Sequence, residues 1–236
     1  MRIKKPLALL LILTVVSFMT GCHKMPELKE SSDSAAPAAK ITAKETPDIN
    51  QTSDGDPNAV FLIQCKKDGK VDDTFADIIN QQLSLLPENL QSAFVQDGWS
   101  VYVTDKDIAQ TYYKGEFDHV MATTNYEELR ILIESRQDAA YESPIHEVGH
   151  WMDYYLDFPS TTDEFAAIYD SDKSSFITAY HSQCIDNELE FFAEGFWQYI
   201  VDPDRLLKET PGLYRFIYEQ YCLMCARFSA FKIFYT

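Results

Sequence analysis

The segment His146-Glu147-Val148-Gly149-His150 constrains this chain more than any other stretch, because its two histidines act together only on a helix. Side chains four residues apart on an α-helix share a face. Two imidazoles so spaced can bind one metal ion, and the Glu between them then reaches water on that ion. One helix supplies only two of the three protein donors that a catalytic site needs, so the fold has to bring the third from elsewhere. With five histidines in 236 residues, chance alone gives an HExxH in roughly one such chain in a hundred or fewer. The plain alternative is a surface helix whose histidines never meet a metal.

The N-terminus carries signals of its own. Met1 to Lys5 is basic, Leu7 to Met19 is apolar, and Thr20-Gly21-Cys22 follows. This pattern predicts a secretion signal over residues 1–21, too short and too soon polar for a good membrane span. Small residues before a Cys resemble the lipobox of bacterial lipoproteins, with Met19 where Leu is usual. That resemblance implies cleavage before Cys22, lipid attachment there, and a protein held on the extracytoplasmic face of a bacterial cell membrane. Ordinary secretion with a free Cys22 is the alternative.

Residues 22–57 are rich in Ser, Ala, Pro, Thr, Asp and Lys and nearly devoid of large apolar side chains. Such a segment cannot bury enough surface to fold and reads as a disordered linker. Residues 58–236 are dense in Phe, Tyr, Trp and Leu, enough for one packed domain. Loss of residues 1–21 would take the formal charge from −17 to −20. So acidic a chain argues against nucleic acid as a partner, and leaves membrane contact to the lipid anchor alone.

Local patterns predict an α+β domain, with a small sheet first and a mostly helical second half. Ala59 to Cys65 reads as a buried strand and Lys66 to Lys70 as a turn. Asp72 or Asp73 caps a helix bearing Phe75, Ile78, Ile79, Leu83 and Leu86, and Pro87 starts another that closes at Asp97-Gly98. Trp99 to Thr104 alternates as a strand, Phe117 to Thr123 reads as extended, and Tyr126 to Ile133 as helical. Ser143-Pro144 has the form of a helix start, with the stop near Pro159. Two short helical pieces follow within 160–181, then helices from Asn187 and from Pro211. Gly149, costly inside a helix by about 1 kcal/mol, makes sense if another backbone or a substrate approaches there.

The third metal donor has candidates in Glu190 and Glu194, one turn apart on the 187–201 helix, and in Asp153 on the histidine face. Against this, Glu190 three residues after Asn187 also fits a capping box, and Glu194 could be solvated. Trp99, Tyr102, Tyr112 and Tyr113 could line a cleft or simply pack a core. Of Cys65, Cys184, Cys222 and Cys225, the last two form a CxxC without a second pair, and read as buried helix thiols.

Ile145 to His150 with Asp153, the block Asn187-Glu-Leu-Glu-Phe-Phe-Ala-Glu-Gly-Phe196, and the ending Thr210 to Ile217 together resemble the anthrax lethal factor-like metallopeptidases, a group that includes secreted Pro-Pro endopeptidases. The resemblance covers roughly residues 60–225 and implies a zincin-like zinc metalloendopeptidase acting on peptides or proteins. It implies zinc on His146, His150 and Glu190, with Glu147 as general base, Glu194 in support, and Tyr180 as oxyanion donor. Asp153, too close on the same helix for an unstrained third ligand, reads as a supporting residue by its position. Tyr180 lies ten residues before Glu190, where the family gap is seven, which leaves His181 as a rival donor. Proline-rich substrates belong to only part of the family. A binding or adhesion lipoprotein of the same fold without catalysis is the alternative, which the intact Glu147 disfavours.

Overall fold

The computed structural model describes residues 62–182 and 185–235. The signal, Cys22, the linker and Cys184 lie outside the described residues. Strand β1 (Cys65–Asp68) leads to α1 (Asp73–Leu83), α2 (Glu88–Gln96), β2 (Ser100–Thr104) and α3 (Ile108–Tyr113). Strands β3 (Ala122–Asn125) and β4 (Arg130–Glu134) follow, and then α4 (Gln137–Tyr155), a 3-10 turn (Pro159–Thr161) and α5 (Asp163–Tyr180). Helices α6 (Glu188–Val201), α7 (Pro203–Glu209) and α8 (Pro211–Tyr235) complete the domain, an α+β architecture.

The sheet runs in the order β1-β2-β4-β3, with β1, β2 and β4 parallel and β3 antiparallel to β4. Val101, Val103, Ile131 and Ile133 point into the main core beneath α1 and α4. Leu132 points the other way and joins Ile108, Ala109, Tyr113 and Val120 in a small second core.

Five expectations from local pattern give way to tertiary context. The first strand lies later than the Ala59 to Cys65 run, because Lys66 and Lys67 suit a half-solvated edge. The 126–133 region is a turn and strand rather than a helix. Asn125 accepts from Glu127 N and Glu128 N, Leu129 is left-handed at φ 52°, and Arg130-Ile-Leu-Ile-Glu134 enters the sheet between β2 and β3. A strand buried on both faces is continuously apolar, which is how a short helix also reads. Of the stretch read as extended over 117–123, only Ala122 and Thr123 enter β3, which runs on to Asn125 at the sheet's end.

Helix α4 begins at Gln137, so Ser143-Pro144 sits inside it. A proline there removes one intrahelical hydrogen bond and costs about 3 kcal/mol. Chain delivery from β4 sets the helix start, and the buried Ala139, Ala140 and Ser143 lock the first turns in place. The two helical pieces expected within 160–181 are one helix, α5, because its polar middle is used. Asp172 accepts from Leu213 N at the start of α8, and Lys173 lies over the Tyr169 ring. Elsewhere local chemistry holds: Asp72 caps α1, and Asn187 Oδ1 caps α6 by accepting from Leu189 N and Glu190 N.

Candidate metal centre

Every Asp, Glu and His that is buried among the described residues lies on α4 or α6: His146, Glu147, His150, Asp153, Glu190 and Glu194. No Lys or Arg among the described residues is buried with them. Buried charge is tolerated only when paired or bound to metal. Four carboxylates and two imidazoles therefore make a site that favours a cation.

The two helices reach each other because neither has bulk at the crossing. A Cβ on Gly149 would stand 2.9 Å from Ala193 Cα, which no backbone tolerates without moving. The close approach expected at Gly149 is thus that of the α6 backbone. It brings the histidines of α4 opposite the carboxylates of α6.

His146 Nε2 lies 3.1 Å from His150 Nε2 and 3.2 Å from Glu190 Oε2, and His150 Nε2 lies 3.7 Å from the same oxygen. Donors bound tetrahedrally to zinc stand about 3.3–3.5 Å apart, given bonds of about 2.0–2.1 Å. The three side chains fit one metal ion. The Glu190 carboxylate meets the histidines, so the Asn187 cap leaves it to the metal cluster. Glu194 Oε1 stands 3.2 Å from His146 Nδ1, a position from which it orients that ring. Asp153 accepts from Ser160 N at 3.0 Å and from Ser160 Oγ at 2.6 Å, tying the end of α4 to the 3-10 turn.

Electrostatics follow this packing. Burial lowers His146, but Glu190 and Glu194 more than reverse it and hold the imidazole well above its usual range. Burial raises Glu190, yet the facing His150 and His146 bring its carboxyl down to about 2. Asp153, dominated by burial despite its bonds from Ser160, is pushed up to about 6.

Glu147 is buried, and Thr124 Oγ1 on β3 donates to its Oε2 at 2.6 Å. Sequence reasoning missed Thr124. It also missed Tyr126, whose hydroxyl burial raises first and the charges of Asp153, Glu147 and Glu190 raise further. Alternation along Ala122-Thr123-Thr124-Asn125-Tyr126 puts residues 122, 124 and 126 on one face, but only the sheet order shows that this face meets α4.

Tyr180 takes other partners. Its ring packs 4.7 Å from Phe176 beneath Arg205, and after burial the groups acting on its hydroxyl are Asp202, Arg205 and Glu209. The turn of α5 that holds it packs beside α7, whose Arg205 covers the ring. The rival His181 is the exposed left-handed cap of α5. Trp99 is core, Tyr113 donates to or accepts from Thr123 Oγ1, and Tyr102 and Tyr112 pack on the second sheet face. Cys222 is exposed and Cys225 half-buried, unlike the buried thiols expected, and both are free. Cys65 is also free, its thiol pushed by burial to about 12.

The model of the family described as anthrax toxin lethal factor, N- and C-terminal domain, matches residues 57–220. The chain belongs to the anthrax lethal factor-like metallopeptidase family. A solved Pro-Pro endopeptidase from Paenibacillus alvei is similar in fold, with TM-score 0.50 and 22% identity. That match covers 67% of this chain and 95% of that one. A search of curated proteins gives no match.

Proposed function

We propose that this protein is a zinc metalloendopeptidase that cuts extracellular peptides or proteins, held by lipid on Cys22 to the outer face of a bacterial membrane. The observation that carries this reading is the buried His146, His150 and Glu190 cluster with Glu147 fixed beside it. Family membership supports it. The endopeptidase of similar fold is named for Pro-Pro bonds, and proline-rich segments are the substrate class we propose to test first.

When bound, zinc supplies a Lewis acid and makes water a nucleophile near neutral pH. Glu147 takes a proton from the attacking water and passes it to the leaving amine. Glu194 holds the His146 ring, and Glu190 completes the ligand set. The substrate lies extended along β3. Glu134 N donates to Met121 O, so the bonded pairs of β3 and β4 fall at Thr123 and Asn125. The main-chain groups of Ala122 and Thr124 therefore turn away from β4, toward a peptide added at that end of the sheet.

The test is mass-spectrometric cleavage profiling of the full chain with zinc on a mixed peptide library that includes Pro-Pro sequences. Cuts made by the wild type and absent from Glu147→Ala support the peptidase. A library left intact by zinc-loaded wild type favours a binding lipoprotein of the same fold.

A further inference from the structure

Glu147 has a long side chain with several rotatable bonds, and a general base works only when its carboxylate holds one direction. Helix α4 carries that residue, and a bond from the neighbouring sheet reaches its carboxylate. That bond comes from β3. Thr124 Oγ1 stands 2.6 Å from Glu147 Oε2 and 3.3 Å from the Glu147 carbonyl oxygen, with Thr124 only 3% exposed. A hydroxyl–carboxylate distance of 2.6 Å is that of a charge-assisted bond, whereas 3.3 Å to a carbonyl is long. The hydroxyl proton thus goes to the carboxylate.

Two features hold the hydroxyl itself. Thr124 is β-branched and stiff about χ1. Its strand neighbours are anchored on both faces: Thr123 meets the Tyr113 hydroxyl at 2.6 Å, and the Tyr126 ring packs 5.1 Å from Tyr154 of α4. The donor is also neutral, so it fixes the carboxylate without adding positive charge beside a cation site.

We infer that Thr124 is a positioning residue for Glu147, its hydroxyl holding the carboxylate toward the metal cluster from the edge strand of the sheet. This inference rests on the metallopeptidase reading of the same site. It also joins substrate docking to catalysis. The main chain of Thr124 faces the side on which a peptide strand would add, while its side chain holds the base. A substrate that shifts β3 shifts the base with it.

The experiment compares wild type, Thr124→Val and Thr124→Ser as full chains loaded with zinc. It reads kcat, KM, zinc content, Tm and crystal structures of each. Thr124→Val is expected to lower kcat about 10- to 100-fold, as for other residues that orient a metal site, with KM and zinc content unchanged. In its crystals the Glu147 carboxylate leaves its wild-type position while His146, His150 and Glu190 stay. Thr124→Ser restores the carboxylate position and most of the lost kcat. An unmoved carboxylate in Thr124→Val, an unchanged kcat, or a loss of kcat matched by lost zinc or a collapsed Tm overturns the inference. If zinc-loaded wild type hydrolyses nothing, the peptidase reading fails instead. The Glu147 position in the Val and Ser crystals then still decides what Thr124 does.

Discussion

Helices α4 and α6 form one packed seam of this protein, and α5 and α8 form another, yet the two are built on opposite rules. Across the second, Phe165 of α5 stands 4.8 Å from Phe216 of α8. Leu213, Ile217, Met224 and Phe228 continue the same buried stripe along α8. Its helices start conventionally, with Thr162 capping α5 and Pro211 opening α8. The first seam keeps a proline inside α4, a glycine at its crossing, and six buried ionisable side chains on its two helices. Each of these weakens an ordinary helix pair. Together they give the close approach and the charge that a cation site needs. The buried charge that chemistry needs lies in the first seam alone.

Removing the metal should break this comparison most sharply. Chelation is expected to abolish peptide hydrolysis and lower Tm, because a ligand held at a thousand times its Kd contributes about 4 kcal/mol. Zinc added back restores both, which calorimetry and a peptide assay would follow. Phe165→Ala attacks the other seam and should cost about 3–5 kcal/mol of stability. Zinc affinity measured by titration below the new Tm should stay unchanged. A coupled loss of affinity would show that the two seams act as one.

Gly149→Ala sharpens the contrast from the site's side. The added methyl meets Ala193 backbone, so the helices part, with an expected cost of about 1–3 kcal/mol and weaker zinc binding. Gly195→Ala meets first the side chain of Leu213 rather than backbone, and should cost less with zinc binding intact. Denaturant midpoints and zinc titration of the two variants separate these outcomes. The smallest effect belongs to Asp172→Ala, which removes the acceptor of Leu213 N and should lower stability by about 1 kcal/mol without touching zinc.

The two seams were not equally legible in the sequence. Cap residues and apolar spacing mark α1, α2, α6 and the start of α8, because those signals act within one turn. The central strand β4 misreads as helix, because Ile131, Leu132 and Ile133 are apolar on both faces and no period distinguishes them. The start of α4 misreads at Ser143-Pro144, because the sheet sets where that helix begins. Tyr180 was expected at the site from the family resemblance, against its spacing, and its neighbours are Phe176 and Arg205.

Taken alone, the sequence determined that His146 and His150 share a helical face with Glu147 between them, and that Glu190 and Glu194 share another. Both follow from helix geometry, which needs no information beyond a few neighbouring residues. The tertiary structure decided that Glu190 meets both histidines while Glu194 backs one, that Gly149 admits the α6 backbone, and that Thr124 reaches Glu147. Those are contacts between segments far apart in the chain, set by how the helices cross and which face of β3 meets α4. No local pattern encodes them.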